Sequence, residues 1–458
     1  MNQPRRVVVV ANRLPVRLDE HDQWQISPGG LVSALTPILQ DREGAWVGWA
    51  GVPDTPLEPF SHAGIEQVPV PLSATEIDEF YFGFCNGTLW PLYHDAVRPP
   101  EFHRHWWRPY VEANRRFAEV TLQTLGHGDI AWVQDYQLQL VPAMIRERNP
   151  DVTIGFYLHI PFPPVEVFAR MPWRREILQG LLAADVLAFQ TRQSASNFAR
   201  AARKYAGAAG GGWRELRYDN RRVRLENSPI GIDVDSFAKL AFAESTRSGA
   251  LSLRQRLGNP RKVILGVDRL DYTKGIDIRL RAFQTVLEHG AYEPGELQFV
   301  QVAVPSRESV PLYQEIRDEI ERLVGQINGE YGQAGTQVVS YLYRTLPLED
   351  LVEAYLIADV MMVTPLRDGM NLVAKEYAAS RVDETGVLML SEFAGAAEQL
   401  RDALIVNPHD IDSMAATLAR ALEMEPAEQQ RRMRALRRTV RKDDVFAWAN
   451  QCLEALGA

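Results

Sequence analysis

Residues 263–275 of the chain read Val-Ile-Leu-Gly-Val-Asp-Arg-Leu-Asp-Tyr-Thr-Lys-Gly, an apolar run that gives way at once to charged residues. The run does not alternate between apolar and polar residues, which is typical of a parallel strand buried on both faces of a sheet. Runs of this kind predict strands at 6–11, 130–134, 153–160, 186–190, 262–267, 297–304, 338–343, 359–364, 386–391 and 403–406.

Longer amphipathic stretches separate these runs and predict helices. The clearest covers 312–328, where apolar residues recur every three or four positions on one face. They are Leu312, Ile316, Ile320, Leu323, Val324 and Ile327. Strands that alternate with helices in this way predict an α/β fold built from doubly wound parallel sheets.

The domain organisation follows from length and from two pauses in this alternation. The chain has 458 residues, enough for two or three domains at roughly 100–200 residues each. The pauses fall at 207–212, which is rich in glycine, and at 227–231, which reads Asn-Ser-Pro-Ile-Gly. We place the boundary at the second pause. The sequence thus predicts two Rossmann-like domains, at 1–235 and 236–458.

Charge, cysteine content and hydropathy exclude several classes of protein. With 50 basic and 59 acidic residues, the formal net charge of −9 argues against a general nucleic-acid binder or a protein of anionic membrane surfaces. No apolar stretch approaches the ~18 residues of a membrane span. The two cysteines, Cys85 and Cys452, suit a reducing compartment, so we expect a cytoplasmic protein.

Charged residues stand directly after many of the predicted strands. In an open α/β sheet, ligands bind at the carboxyl ends of strands, so these positions are the first candidates for a site. The cations at such positions are Arg13, Arg269, Lys274 and Arg307. Any one of them alone is more often part of a turn or a helix cap. Four together, in an acidic protein, predict a bound phosphate or diphosphate.

Two helices that start behind glycine support the same interpretation. Gly29 and Gly30 open a helical stretch, and Gly369 precedes another at 371–379, so backbone N–H groups are accessible at both starts. The chain has neither a G-x-G-x-x-G fingerprint nor a Walker GK[ST] motif. A dehydrogenase or a P-loop NTPase is therefore not indicated.

No metal site is predicted. Three histidines lie within 94–105, but the surrounding sequence has the pattern of an aromatic helix rather than of a ligand set. The basic run at 431–442 keeps apolar residues at three- and four-residue spacing. It is interpreted as the solvated exterior of a helix rather than as a nucleic-acid site.

Eight segments form a pattern that is specific in order and in spacing. They are 12–16 (Asn-Arg-Leu-Pro-Val), 29–31 (Gly-Gly-Leu), 86–94 (Asn-Gly-Thr-Leu-Trp-Pro-Leu-Tyr-His), 134–138 (Gln-Asp-Tyr-Gln-Leu), 159–163 (His-Ile-Pro-Phe-Pro), 268–275, 367–376 (Arg-Asp-Gly-Met-Asn-Leu-Val-Ala-Lys-Glu) and 392–396 (Glu-Phe-Ala-Gly-Ala). This pattern resembles the trehalose-6-phosphate synthase family, from about residue 6 to the C-terminus.

The resemblance implies a GT-B fold, in which two Rossmann-like domains face each other across a cleft. It implies a retaining transfer of glucose from a nucleoside-diphosphate glucose to glucose 6-phosphate, which gives α,α-trehalose 6-phosphate. The nucleotide sugar is a co-substrate, and no cofactor and no metal are expected. The N-terminal domain is expected to bind the acceptor, and the C-terminal domain the nucleotide sugar.

The resemblance also implies roles for single residues. The expected acceptor site is Arg13, Tyr81, Trp90, Asp135 and Arg307, with the arginines on the acceptor phosphate. The expected donor site is Gly29, Gly30, Arg269, Lys274, Asp368, Gly369, Met370, Asn371 and Glu376. The residues expected to act in catalysis are His159, Asp135, Arg269 and Lys274. Retention is expected without a carboxylate nucleophile, by attack on the front face with the leaving phosphate taking the acceptor proton.

Several points stay open at this stage. Related enzymes join other partners: glucosylglycerol-phosphate synthase uses glycerol 3-phosphate, and the validoxylamine-phosphate pseudo-glycosyltransferase couples nucleotide-linked cyclitols. A catalytically silent sugar-phosphate sensor is a third interpretation, against which Arg269, Lys274 and Glu376 argue. The sequence does not decide whether the donor nucleotide is UDP, GDP or ADP, or whether the protein forms a homo-oligomer.

The expected partners are small-molecule substrates, without nucleic acid or membrane. We expect no fused phosphatase after residue 458 and a separate phosphatase that acts on the product.

Overall fold

A computed structural model describes residues 5–18, 24–26, 30–290, 292–293, 295–308, 310–333 and 335–458. Internal contacts divide the chain into two compact units. The first unit comprises Met1–Ile230 together with Val445–Ala458, and the second comprises Gly231–Asp444.

The first unit is built on a nine-stranded sheet within the described residues. In chain order, the strands of this unit are β1 (Val7–Arg13), β2 (Val16–Leu18), β3 (Trp24–Ile26), β4 (Ala45–Trp49), β5 (Phe60–His62), β6 (Ile65–Pro69), β7 (Ile130–Gln134), β8 (Thr153–Leu158), β9 (Val186–Phe189), β10 (Glu215–Tyr218) and β11 (Arg221–Asn227). The sheet order is β10-β11-β9-β8-β7-β1-β4-β6-β5, and β2 pairs separately with β3. Only the edge strands β5 and β10 run antiparallel to their neighbours in this sheet.

Helices flank this sheet and supply its connections. They are α1 (Gly30–Asp41), α2 (Ala74–Glu76), α3 (Trp90–Tyr93), α4 (Arg104–Thr124), α5 (Val141–Arg148), α6 (Val165–Phe168), α7 (Arg174–Leu182) and α8 (Arg192–Ala206), with a π-helix at Ile77–Leu89 and a 3₁₀ turn at Tyr136–Leu138. At the centre of the sheet, the four valines Val7, Val8, Val9 and Val10 are fully buried. Burial of the whole run is what its continuous apolar pattern predicts for a strand covered on both faces.

The second unit has a six-stranded sheet, parallel throughout. Its strands are β12 (Lys262–Arg269), β13 (Leu297–Val304), β14 (Val339–Tyr343), β15 (Val360–Val363), β16 (Val387–Ser391) and β17 (Leu404–Val406), in the order β14-β13-β12-β15-β16-β17. Its helices are α9 (Val234–Phe242), α10 (Glu244–Arg256), α11 (Ile276–Glu288), α12 (Pro311–Tyr331), α13 (Leu348–Ile357), α14 (Leu372–Ser380), α15 (Ile411–Leu422) and α16 (Pro426–Lys442), with 3₁₀ turns at Tyr272–Lys274 and Gly395–Glu398.

The predicted fold class is confirmed, and all ten predicted strands are present with boundaries shifted by a few residues. The helix predicted at 312–328 is α12, and the basic run lies on α16, whose Met433, Leu436 and Val440 are buried. Sequence patterning missed β2, β3, β4, β5, β6, β10 and β11, whereas it found β14 and β17 at the edges of the second sheet. In β11 arginines alternate with apolar residues, so this strand has no continuous apolar run.

A final helix, α17 (Val445–Ala455), belongs to the first unit although it follows the second in sequence. Trp448 lies with its ring 5.7 Å from Trp132 and edge-on to Tyr157 at 5.1 Å. A Cβ atom added at Gly155 would lie 2.8 Å from Leu456, so this glycine makes room for the end of the chain. Sequence patterning placed these residues with the second domain, because periodicity does not reveal which core an amphipathic helix covers.

No helix in the described ranges is both long enough and apolar enough to cross a membrane.

Replacing Trp448 with alanine should lower the free energy of unfolding of the first unit by about 3–5 kcal/mol, since the loss of a buried tryptophan leaves a cavity. Urea unfolding followed by circular dichroism measures the loss. Phe446→Ala is the matched control, because Phe446 lies on the same helix but is 37% exposed. Equal losses in both variants would show that Trp448 does not anchor the helix.

Candidate functional site

The end of β12 and the short loop after it carry the two cations predicted for the donor, Arg269 and Lys274. The 3₁₀ turn of this loop, Tyr272–Lys274, is capped by Asp271, whose Oδ1 accepts a hydrogen bond from the Thr273 N–H at 2.9 Å. Gly275 follows with φ +61°, and a Cβ atom added there would lie 2.9 Å from the Thr364 carbonyl oxygen. The loop therefore needs glycine at this position, both for its backbone conformation and for space.

Lys274 forms an ion pair with Asp368, the first residue of the next segment of the site. Its Nζ lies 2.5 Å from Oδ2 of Asp368, and the two side chains are only 10% and 14% exposed. Asp368 also accepts hydrogen bonds from the Asn371 side-chain amide at 3.1 Å and from the Met370 N–H at 3.4 Å. The structure thus brings four of the predicted donor residues into one hydrogen-bonded cluster.

The helix behind this cluster, α14, carries Glu376. Asn371 caps the helix, with its Oδ1 accepting from the Ala374 N–H at 3.3 Å, and Gly369 lies buried just before it. The Tyr355 hydroxyl donates to Glu376 at 2.8 Å. Burial raises the pKa of Glu376, and the hydrogen bond from Tyr355 opposes that rise. Glu376 is thus a fixed acceptor one to two turns along the helix.

Arg307 also lies in the second unit, beside the loop. Its Nη1 is 2.9 Å from Oδ2 of Asp271, and the Tyr313 hydroxyl contacts both groups. Burial alone would raise the pKa of Asp271, but the charges of Arg307, Arg269 and Lys274 outweigh it and lower the value to about 2. Asp271 is therefore ionised at neutral pH and balances cations on two sides.

In the first unit, Asp135 and His159 meet at the ends of β7 and β8. Oδ1 of Asp135 accepts from the His159 backbone N–H at 3.1 Å, and His159 Nε2 lies 3.0 Å from the Gln134 side-chain oxygen. His159 is half-buried among aromatic rings, and its desolvation lowers its pKa to about 3. At neutral pH it is an uncharged hydrogen-bonding group and not a cation.

Tyr81 and Trp90 lie on and just after the π-helix, near Asp135. Asn86 donates to the Tyr81 carbonyl oxygen at 2.7 Å and accepts from the Tyr136 hydroxyl at 3.0 Å. The Trp90 ring lies 5.7 Å from the Tyr136 ring. Tyr136 follows Asp135 directly, so it links these predicted acceptor residues. Long π-helices are rare and are often found at functional sites.

Arg13, Gly30 and Arg269 are the remaining predicted site residues that the structure describes. Arg13 ends β1 with an exposed side chain, and its guanidinium lies 4.5 Å from the Trp49 ring centre. Gly30 is the first residue of α1, as the sequence predicted, and Gly29 lies outside the described residues. Arg269 is exposed at the end of β12.

Three predicted site residues have a backbone conformation that residues other than glycine rarely adopt. Asp135, Arg307 and Asn371 have φ of 71°, 51° and 79°. Such conformations cost of order 1–3 kcal/mol and persist where the surroundings hold them, most often at binding and active sites. The strain falls at both candidate subsites.

Sequence reasoning missed the groups that hold the predicted residues in place. They are Asn86, Gln134, Tyr136, Asp271, Tyr313 and Tyr355. Asn86, Gln134, Tyr136 and Asp271 stand inside the quoted motifs, and that position was the available signal. Tyr313 and Tyr355 lie on helices far along the chain, and nothing in the pattern marked them. Across the described ranges, no group of three His, Cys, Asp or Glu side chains is placed to hold a metal ion.

Comparison with known proteins covers the whole chain. The family model described as glycosyltransferase family 20 matches residues 5–458. The trehalose-6-phosphate synthases of Mycolicibacterium gilvum and Mycolicibacterium smegmatis are each 52% identical to the chain, over 98% of its length and 93% and 92% of theirs.

Solved structures agree with this match. An α,α-trehalose-phosphate synthase from Burkholderia xenovorans in complex with glucose 6-phosphate has a TM-score of 0.91 at 35% identity, over 99% of this chain and 100% of that one. The E. coli trehalose-6-phosphate synthase bound with UDP-2-fluoro glucose has a TM-score of 0.91 at 36% identity, over 98% of each chain. The expected GT-B fold is thereby confirmed.

The lowered pKa of His159 predicts a pH-dependent stability. Below the ordinary pKa of 6.5 the unfolded chain binds a proton at this residue, whereas the folded protein does not until about pH 3. Stability from this site is therefore lost as pH falls below 6.5. Urea unfolding at pH 7.5 and pH 5.0 should show a loss about 2 kcal/mol larger in the wild type than in His159→Gln.

His127→Gln, at an exposed histidine of the same unit, controls for the substitution itself. A wild type and a His159→Gln variant with the same pH dependence would show that the pKa of His159 is not lowered in the folded protein.

Proposed function

Because the chain belongs to glycosyltransferase family 20, we propose that it transfers glucose from a nucleoside-diphosphate glucose to glucose 6-phosphate and makes α,α-trehalose 6-phosphate. The observation that carries the proposal is the ion pair between Lys274, in the loop after β12, and Asp368, which follows β15, with Arg269 at the end of β12. This arrangement keeps cations ready for an anionic leaving group.

In this proposal the second unit binds the nucleotide sugar. Arg269 and Lys274 take the diphosphate, and they neutralise the charge that grows on it as the glucosyl bond breaks. The segment from Asp368 to Asn371 holds the sugar, and Glu376 accepts hydrogen bonds from ribose hydroxyls. The fixed position of Glu376, set by Tyr355, supports the last role.

The acceptor is assigned to Arg13, Tyr81, Trp90, Asp135 and Arg307. The exposed guanidinium of Arg13 suits a phosphate, and Asp135 suits a sugar hydroxyl. Arg307 already has Asp271 as a partner, so it would share its donors between that carboxylate and the acceptor phosphate. This sharing supports a positioning role for Asp271 at the acceptor.

The proposed chemistry retains configuration without a covalent intermediate. The bond from the anomeric carbon to the phosphate oxygen breaks, the bond to the acceptor oxygen forms on the same face, and the acceptor proton passes to the leaving phosphate. His159 remains neutral throughout and hydrogen-bonds a hydroxyl of the glucosyl group; because its Nε2–H faces the Gln134 oxygen, Nδ1 accepts this bond. The lowered pKa of His159 supports this role, since a ring that stays uncharged keeps one accepting nitrogen.

The finer assignments concern donor, metal, location and product. Solved relatives from Burkholderia are described as UDP-forming, so UDP-glucose is the donor to test first. Arg269 and Lys274 take the place of a metal, so no metal is required. We place the reaction in the cytoplasm, which the two free cysteines support, and assign dephosphorylation of the product to a separate phosphatase.

The substrate pair tests the function directly. The protein is incubated with UDP-, GDP- or ADP-glucose and with glucose 6-phosphate, glucose 1-phosphate or glycerol 3-phosphate, each with and without excess EDTA. We expect a product with the mass and α,α configuration of trehalose 6-phosphate, formed at the same rate with EDTA. If product forms only with glycerol 3-phosphate, the acceptor is glycerol 3-phosphate and not glucose 6-phosphate. Activity that EDTA removes and Mg²⁺ restores would overturn metal independence.

Two substitutions should separate the subsites. Arg13→Ala should raise the KM for glucose 6-phosphate about 10- to 150-fold with little change in donor KM, since it removes a charge-assisted hydrogen bond worth roughly 1.5–3 kcal/mol. Lys274→Ala should mainly lower kcat, because the charge it balances develops in the transition state. Initial-rate kinetics with both substrates varied gives these constants. If Arg13→Ala mainly lowered kcat and Lys274→Ala mainly raised the KM for glucose 6-phosphate, the two residues would belong to each other's subsites.

A further inference from the structure

A fully buried arginine lies beneath the donor loop. Arg279 is on α11, four residues after Gly275, and its side chain has no exposed surface. A guanidinium taken out of water is costly unless its N–H groups find partners. Neither the reaction nor the binding roles proposed above use this residue, so its burial needs another explanation.

The partners of Arg279 come from β12, from β13, from the residue after β15 and from the loop itself. Its Nη1 lies 2.6 Å from Asp268 and 3.2 Å from the Gln301 side-chain oxygen, and its Nε donates to the Thr364 hydroxyl at 3.0 Å. Its Nη2 donates to the Lys274 carbonyl oxygen at 3.3 Å. The Arg279 side chain thus links β12, β13 and the end of β15 to the backbone of Lys274.

A glycine supports this arrangement. A Cβ atom added at Gly266, in the middle of β12, would lie 2.3 Å from the Gln301 oxygen and 2.5 Å from Arg279 Nη1. Any larger residue would displace the pair. The space around the guanidinium therefore depends on a missing side chain in the neighbouring strand.

Charge gives Arg279 a second effect on the site. Asp268 is buried within the electrostatic reach of Lys274, and Arg279 supplies its closest cation. Without Arg279, an unbalanced buried carboxylate would attract the Lys274 ammonium inward. With Arg279 present, the Lys274 backbone carbonyl accepts a hydrogen bond from Arg279, and the Lys274 ammonium pairs with Asp368.

We propose that Arg279 is a positioning residue that fixes Lys274 for the leaving diphosphate. The inference rests on the proposed function, since it takes Lys274 to bind that group. It makes Arg279 act through Lys274 without touching either substrate. Loss of Arg279 should then lower kcat, as loss of Lys274 does, and leave the KM for the acceptor little changed.

The test separates positioning from stability with paired substitutions. Arg279→Met leaves Asp268 unpaired, so it should lower the thermal midpoint and the affinity for the leaving group together. In Arg279→Met/Asp268→Asn the unpaired charge is gone, and the midpoint should recover most of its loss. UDP affinity by calorimetry and kcat should nevertheless stay at least 10-fold below wild type, with KM for glucose 6-phosphate within twofold.

Arg254→Met is the matched control. Arg254 caps carbonyl groups of Ile357, Pro260 and Arg261 near the opposite end of the same sheet. It should lower the thermal midpoint without changing UDP affinity or kcat. Arg279→Lys, which keeps the charge but not the four contacts, should fall between the wild type and Arg279→Met.

The outcomes distinguish this inference from the function on which it rests. If the double variant binds UDP and turns over like the wild type while Lys274→Ala is impaired, the positioning role of Arg279 is wrong and the proposed function stands. If the wild type transfers glucose from none of UDP-, GDP- and ADP-glucose, both are overturned. Where the substrate panel selects GDP or ADP, that diphosphate replaces UDP as the probe.

Discussion

The second unit must hold several cations at one sheet edge, close together and partly out of water. It does so by giving each shielded cation a carboxylate of its own. Lys274 pairs with Asp368, Arg307 with Asp271 and Arg279 with Asp268, at 2.5, 2.9 and 2.6 Å. Breaking one such pair leaves an uncompensated charge, which costs more than the intact pair contributes. The loop geometry depends on this balance.

The backbone conforms to the same requirement. Asn371 adopts a positive φ as it caps α14 and contacts Asp368, and Arg307 adopts one beside Asp271. In the first unit, Asp135 adopts one where its carboxylate meets the His159 N–H. Conformations of this kind persist only when several contacts hold them, so the hydrogen bonds and ion pairs around each residue serve structure and site together.

The sequence was informative where a residue's surroundings are local. The ten strands predicted from continuous apolar runs are all present, and the residues after them included Lys274 and Asp368, although β4, which is also buried and parallel, was missed. The alternating strand β11 and the short edge strands lack that signal. Arg279 was invisible for another reason. It is one polar residue in an amphipathic helix, and its burial depends on Thr364, 85 positions away.

The ion pair of Lys274 also bears on how the proposed reaction gains rate. Asp368 holds the ammonium in place before the donor arrives, which removes part of the entropy cost of orienting it. The same carboxylate competes with the diphosphate for that charge while the donor is intact. As the glucosyl bond breaks, negative charge grows on the phosphate and the balance shifts toward it. A pair that restrains Lys274 in the ground state and releases it to the leaving group stabilises the transition state more than the substrate, which is the condition for catalysis.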